Sequence, residues 1–257
     1  MNKIDEISVF LPAYNEEKNI KQTVNLVHNV VKNVSKKFEI IIINDGSKDK
    51  TGEIAKELSL QNKTIRVITH EKNKGYGGSL ISGFYNSRYK WISFIDSDGQ
   101  FDFSEINKLI EEQKKTNADL VIGSYSKRKV SCLRRINTFI WQMLIRTMFN
   151  LKVKDIDCGF KLIKKDVIEK IPKLESQRGA FISTEFLVKS KLAGFKIAEV
   201  PVSHFERKDG KATGANLNVI INSFKDLFVL KKKLRRVSKK NNLSDKGKLF
   251  PYSNEKI

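Results

Sequence analysis

The chain has 257 residues, 40% of them hydrophobic, and a formal charge of +20. That length holds one full-sized α/β domain with its own core and is short for two, and the apolar content excludes global disorder. The charge calls for polyanionic partners (nucleic acid, an anionic membrane surface or phosphate-bearing substrates) without choosing among them. Two cysteines, Cys132 and Cys158, make neither a disulfide framework nor a zinc cluster and fit a reducing compartment. The opening residues carry charges where a signal peptide needs an apolar run. The longest aliphatic block, Ile40 to Ile43, falls far below the roughly 18 residues of a membrane span. The expectation is a cytoplasmic chain, peripheral at the inner face of the membrane.

In chain order, the N-terminal half alternates strand and helix. Ile7 to Leu11 reads as a buried strand ended by Pro12, and Asn15 as the cap of a helix through about Val34, with apolar residues at Ile20, Val24, Val27, Val30, Val31 and Val34. Glu39 to Ile43 is a second strand, its unbroken isoleucines suiting a parallel sheet covered on both faces. Thr51 to Leu60 is helical, Ile65 to Thr69 a strand, Tyr76 to Ser87 a helix and Trp91 to Ile95 a strand. Phe103 to Lys115 is again a helix and Asp119 to Ile122 a strand. Repeated βα units predict an α/β fold: an open, mostly parallel, twisted sheet flanked by helices, with ligands beyond the carboxyl ends of its strands.

The second half changes character. Leu133, Ile136, Ile140, Met143, Met148 and Leu151 form a helical stripe beside Arg134, Arg135 and Arg146. Phe160 to Ile163 is a strand, Ser183 to Leu192 a helix and Lys196 to Val202 a strand. Leu217, Ile220, Ile221, Phe224, Leu227 and Phe228 make a last amphipathic stripe that runs into Lys231, Lys232, Lys233, Arg235 and Arg236. The expected division is a catalytic domain over 1–214, an amphipathic basic helix over 215–236 and a disordered polar tail over 237–257.

Three polar clusters follow predicted strands or open a helix. Asp96-Ser97-Asp98 places two carboxylates two residues apart after an apolar strand, a donor set for one hard divalent cation shared with a diphosphate. Gln100 is a third candidate oxygen. A solvated acidic turn has the same local sequence. Asp45, after the isoleucine strand, suits either a base or ribose contact or the turn of Asn44-Asp45-Gly46-Ser47. Gly75, Gly77 and Gly78 open a helix where backbone can approach phosphate, though a plain loop-to-helix junction looks alike.

Taken together and in order, Pro12-Ala13-Tyr14-Asn15-Glu16, Asn44-Asp45-Gly46-Ser47, Asn73-Lys74-Gly75 and Asp96-Ser97-Asp98-Gly99-Gln100 resemble the family 2 glycosyltransferases of the GT-A fold. Asp155 with Cys158-Gly159-Phe160-Lys161, Glu199-Val200-Pro201-Val202, and Arg207 with Gly210 are similar to the polyprenyl-phosphate sugar transferases, the dolichol-phosphate mannose synthase type. The resemblance runs from about residue 7 to residue 230. It implies that Pro12, Tyr14, Glu16, Asp45, Lys74 and Asp96 bind a UDP- or GDP-linked sugar, and that Asp96, Asp98 and Gln100 ligate Mg²⁺ or Mn²⁺. The acceptor phosphate would meet Arg134, Arg135, Lys161, Arg207 and Lys211. The sequence departs from that type where Gly210-Lys211-Ala212-Thr213 stands for the usual Gly-x-Ser-Lys, and it lacks the membrane spans that many relatives append.

The implied reaction is an inverting transfer to a polyprenyl phosphate. A phosphate acceptor needs no general base. An alcohol or glycan acceptor does, and Glu185 is then the candidate, with an ion pair to a nearby Lys or Arg as its structural alternative. The two amphipathic stripes suit an anionic membrane surface as well as a sheet or a partner subunit. A homo-oligomer or a small membrane partner is compatible with this reading. A non-catalytic nucleotide-sugar or polyanion binder is the competing class, and no nucleic-acid-binding motif is present to favour nucleic acid.

Overall fold

The computed structural model describes residues 3–125, 132–177, 179, 181–205 and 224–234, with the side chains of 132–137 left aside. Strand β1 (Ile4–Ala13) leads through helix α1 (Ile20–Val34) to β2 (Ser35–Asn44), α2 (Thr51–Gln61), β3 (Ile65–Thr69), α3 (Gly75–Asn86) and β4 (Trp91–Phe94). A 3₁₀ turn (Phe103–Glu105) and α4 (Ile106–Thr116) precede β5 (Leu120–Tyr125), α5 (Cys132–Phe149), β6 (Lys161–Lys164), α6 (Lys165–Lys170), α7 (Phe181–Leu192) and β7 (Ile197–Val202). A further helix, α8, covers 224–234.

The strands form one sheet in the order β3-β2-β1-β4-β6-β5-β7. All pairings are parallel except those of β6, which runs antiparallel to β4 and β5. The isoleucine run shows why both faces are covered. Ile40 and Ile42 point into the core under α1, α2 and α4, and Ile41 and Ile43 into the core under α3, α5 and α7. Alternation on a pleated strand sends neighbours to opposite faces, so a continuous apolar run needs helices on both sides.

Two boundaries differ from the sequence reading for clear reasons. Strand β1 continues through Pro12, paired with Ile43 of β2, because its ladder with β4 ends at Phe10 and proline's missing N–H costs nothing on that side. Asn15 does not cap α1. It takes a left-handed conformation (φ 56°), its backbone N–H donates to Ser47 Oγ, and its side-chain oxygen accepts from Lys48 N at 2.8 Å. The helix instead starts at Ile20 with Asn19 as its N-terminal flank.

Helix α8 buries Leu227, Leu230 and Leu234, spaced three and four apart, in the same core as α5 and α7, and Phe224 meets Trp141 of α5 edge-to-face at 5.2 Å. The same two helices leave Phe139, Ile140 and Met143 of α5 and Phe228 and Val229 of α8 exposed. Leu217, Ile220 and Ile221 of the predicted stripe, and the tail over 237–257, lie outside the described residues. Among the described residues no helix is long and apolar enough to cross a membrane.

Candidate active site

The sheet places a crevice at the carboxyl end of β1. From β1 the chain moves outward to β2 and β3, then α3 carries it back across to β4 on the other side of β1. Such a reversal leaves an opening between the two outgoing loops, where α/β sheets bind ligands. The residues after β1 (Tyr14, Asn15, Glu16), after β2 (Asp45) and after β4 (Asp96, Ser97, Asp98) all emerge there.

Ser97 organises the carboxylate pair. Its side chain is buried and its Oγ donates to the carbonyl of Pro12 at 2.7 Å, while its own carbonyl accepts from Thr23 Oγ1 at 3.2 Å. Asp96 and Asp98, on either side, are half-buried. The Asp98 carboxylate accepts from Gln100 N at 3.1 Å. Gln100 is tied to the segment after β7: its Nε2 donates to Phe205 O at 3.0 Å and its carbonyl accepts from Phe205 N at 2.8 Å. Next to this pair, His204 packs its ring on Phe101 and Tyr125.

Asp96 is held on both sides. Tyr76, in the first turn of α3, donates its hydroxyl to Asp96 Oδ1 at 2.9 Å. Burial, and then the Asp96 carboxylate, push the Tyr76 phenol well above its usual pKa, so it stays a donor. Gly159 lies against the other oxygen, and a Cβ there would overlap Asp96 Oδ2. The sequence reading assigns Tyr76 no role, and it names Gly159 only within the Cys158-Gly159-Phe160-Lys161 motif, without its contact to Asp96. The only signal for Tyr76 was an aromatic residue set among glycines at a helix start.

Asp45 is buried and its carboxylate is engaged by the protein itself. Oδ1 accepts from Lys74 N at 2.8 Å and meets His70 Nδ1 at 2.6 Å, and Oδ2 accepts from Gly75 N at 2.9 Å. His70 Nε2 lies 2.8 Å from Ser82 Oγ. Asp45 therefore pins the entry to α3 at the crevice. Tyr14 is exposed and Pro12 buried. Glu16 is buried, with its N–H donating to Thr51 Oγ1 and its Oε2 accepting from Asn19. Lys74 is exposed, its stem lying over Gly78.

Two expected cations or bases have other surroundings. Lys161 is fully buried; its ammonium donates to the carbonyl of Cys158 and sits 5.3 Å from the centre of the Phe94 ring. Burial lowers its pKa, opposed by Cys158, Asp155, Asp157 and Asp96. Its charge thus sits inside, near Asp96, and does not face a surface-bound phosphate. Glu185 is buried at the start of α7 and pairs with Lys189 at 2.5 Å. It also accepts from the backbone N–H groups of Glu175 and Ser176. Arg207 and Lys211 lie outside the described residues, as do the side chains of Arg134 and Arg135.

A divalent cation fits the donor chemistry. Asp96 and Asp98 offer hard oxygens at one crevice, and among the described residues no group of three or more His, Cys, Asp or Glu forms a closed protein cage. Magnesium is commonly bound in that way, by one or two carboxylates, with waters and substrate phosphates filling the rest.

Residues 8–172 match the model of glycosyl transferase family 2. The chain belongs to that family. It is 32% identical over 225 residues to the dolichyl-phosphate beta-glucosyltransferase of Dictyostelium discoideum, covering 80% of this chain and 68% of that protein. It is 30% identical over 212 residues to the glycosyltransferase AglD of Haloferax volcanii, covering 80% of this chain and 34% of that protein. The chain thus spans about a third of the length of the Haloferax relative and about two thirds of the Dictyostelium one. Among solved structures it resembles glucosyl-3-phosphoglycerate synthase of Mycobacterium tuberculosis, crystallised with Mn²⁺, UDP and phosphoglyceric acid. The TM-score is 0.67 at 18% identity, over 88% of this chain and 78% of that one. That likeness bears on the fold, and the fold is that of the GT-A glycosyltransferases.

Proposed function

We propose that this family 2 enzyme transfers a hexose from a nucleoside-diphosphate sugar to a polyprenyl phosphate, with inversion at the anomeric carbon. The observation that carries the reading is the Asp96-Ser97-Asp98 turn, locked by Ser97 to the end of β1 at the point where the sheet reverses direction. The dolichyl-phosphate glucosyltransferases among its relatives support the acceptor class and make UDP-glucose the first donor to test.

In the proposed reaction an acceptor phosphate oxygen attacks the anomeric carbon as its bond to the donor diphosphate breaks, and the nucleoside diphosphate leaves. Asp98, with Asp96 and Gln100, would hold Mg²⁺ or Mn²⁺, which when bound neutralises charge on the departing diphosphate. Tyr14, Glu16 and Lys74 border the donor crevice, and Asp45 shapes it by fixing the Lys74–Gly75 turn. Arg134, Arg135, Arg207 and Lys211 are the cations proposed for the acceptor phosphate. The engagement of Glu185 favours this acceptor over an alcohol. A carboxylate that already accepts two backbone N–H groups and an ammonium is poorly placed to take a proton from a hydroxyl. An ionised phosphate requires no such base.

We further propose that the acceptor is met at the cytoplasmic face of a membrane, with the chain peripheral to it. Exposed Phe139, Ile140 and Met143 of α5 and Phe228 and Val229 of α8 are accompanied by Lys225, Lys231, Lys232 and Lys233. Apolar side chains with a basic fringe are what an interfacial helix presents to an anionic leaflet.

The deciding experiment incubates the purified chain with Mn²⁺, a polyprenyl phosphate and radiolabelled UDP-glucose, UDP-galactose or GDP-mannose. Label in the organic phase is the expected result. Label only in a glycan product would move the assignment to an alcohol acceptor, and no transfer from any donor would remove the enzymatic reading.

A further inference from the structure

The contact between Tyr76 and Asp96 is one step in a longer chain of fixed parts. Asp96 Oδ1 receives the Tyr76 hydroxyl at 2.9 Å, and Gly159 crowds Oδ2 from the other side. The carboxylate is thereby confined in orientation as well as in place. Tyr76 itself is immobilised from both directions. On its N-terminal side Asp45 takes the N–H groups of Lys74 and Gly75. On its C-terminal side Gly77 and Gly78 lack side chains, and the segment Ser176–Gln177 lies directly on the helix. A Cβ on Gly77 would overlap the carbonyl oxygens of Ser176 and Gln177. Gly78 N donates to Gln177 O at 2.9 Å. The segment is in turn held by Glu185, which accepts from the N–H groups of Glu175 and Ser176 and is anchored to Lys189.

We infer that Tyr76 is a positioning residue for the metal-side carboxylate of Asp96, and that Glu185 serves the site by bracing the 175–177 segment behind Tyr76. The inference rests on the reading of Asp96 as a donor-metal carboxylate. A hydroxyl that donates to one oxygen of a carboxylate leaves the remaining lone pairs pointing in a fixed direction, and a hydrogen bond to an ionised acceptor is among the stronger ones in proteins. Pre-set orientation lowers the cost of gathering metal and diphosphate at once. Tyr76 touches none of the reacting atoms in this role, so its effect is on the metal-dependent part of donor binding.

Tyr76→Phe removes the hydroxyl and keeps the ring. Calorimetric titration of the full chain with UDP, and separately with GDP, is carried out with and without Mn²⁺. The wild-type chain is expected to bind one of the two more tightly when Mn²⁺ is present. Tyr76→Phe is expected to lose about tenfold of that gain, the loss typical of one hydrogen bond to a charged group, with metal-free nucleotide affinity unchanged. Raising Mn²⁺ should restore the turnover of the variant. Gly159→Ala presses on the same carboxylate from the opposite side and is expected to reproduce the loss, giving a second variant if Tyr76→Phe folds poorly. Full retention of the Mn²⁺ gain in Tyr76→Phe would overturn the inference, as would an equal loss of affinity with and without metal. If the wild-type chain gains nothing from Mn²⁺ with either nucleotide, the metal reading of Asp96 falls and takes the inference with it.

Discussion

The hydroxyl of Ser97 donates to the carbonyl of Pro12 at 2.7 Å, both residues buried. This bond ties the loop after β4 to the end of β1 where their strand ladder has already stopped. Together with the bond from Thr23 Oγ1 to the Ser97 carbonyl, it sets the height of the two flanking carboxylates above the sheet. Ser97→Ala leaves the Pro12 carbonyl without this donor in a buried place, and is expected to cost about 1–2 kcal/mol in urea unfolding. Transfer activity should fall further than stability explains, measured at a temperature where the variant remains folded.

Asp98→Asn keeps the shape of the loop and removes the charge that would face a metal. Its expected effect is a loss of metal-dependent transfer of about 100-fold or more, the scale of removing one electrostatic contact in a reaction centre. The melting temperature should stay within about 2 °C of the wild type, since Asp98 is only half-buried and a surface change of under 0.5 kcal/mol moves it little. Activity that survives at half the wild-type rate would dissociate Asp98 from the metal.

Asp45→Ala should do two things at once. It removes the buried carboxylate that accepts from Lys74 N, meets His70 Nδ1 and is one of two acceptors of Gly75 N, which is expected to destabilise the chain by about 2–3 kcal/mol in chemical denaturation. It should also release the entry of α3 and weaken UDP or GDP binding. Faster amide exchange over residues 73–78 would report that release directly.

Cys158 is wholly buried, and burial, opposed by Lys161, pushes its thiol pKa up to about 12. At pH 8 the thiolate fraction is then on the order of 10⁻⁴, and the sulfur is out of reach. In a Cys132→Ser background, iodoacetamide should leave the native chain unlabelled at pH 8 and modify it at once in denaturant. Rapid native labelling would contradict the packing of the 158–161 turn.

The exposed apolar residues of α5 and α8 make a quantitative claim about membranes. The chain should co-float with vesicles containing phosphatidylserine at low salt and separate from them as salt rises, because each Lys or Arg near an anionic surface contributes about 1 kcal/mol that ions screen. Replacing Phe139 and Phe228 together by Ser is expected to weaken flotation by about tenfold or more, with the melting temperature unchanged, as these side chains are 64% and 60% exposed. Flotation indifferent to both salt and the double substitution would remove α5 and α8 from the interface.

Local pattern carried much of this protein. The isoleucine run of β2 suits a strand of a sheet buried on both faces, since on a pleated strand four consecutive apolar side chains alternate between the two faces. The βα rhythm foretells a parallel sheet, and the place of Asp96-Ser97-Asp98 after an apolar strand puts the pair at its carboxyl edge. These are properties of period and of neighbours in sequence, so the sequence alone determines them. Three other features were decided only when the chain closed on itself. The direction of β6 depends on how α5 and the following loop return the chain, and Lys161-Leu162-Ile163-Lys164 reads the same either way. Lys161, whose charge suggests a surface contact, is instead sealed in the core because Cys158 and Phe94 cover it. Tyr76 and Asp96 are twenty positions apart and meet through the packing of α3 on the 176–177 segment, a contact that no spacing rule encodes. The Asp96-Ser97-Asp98 motif was legible in the sequence, while the direction in which its first carboxylate points belongs to the tertiary structure, because that direction is set by donors and close contacts drawn from distant parts of the chain.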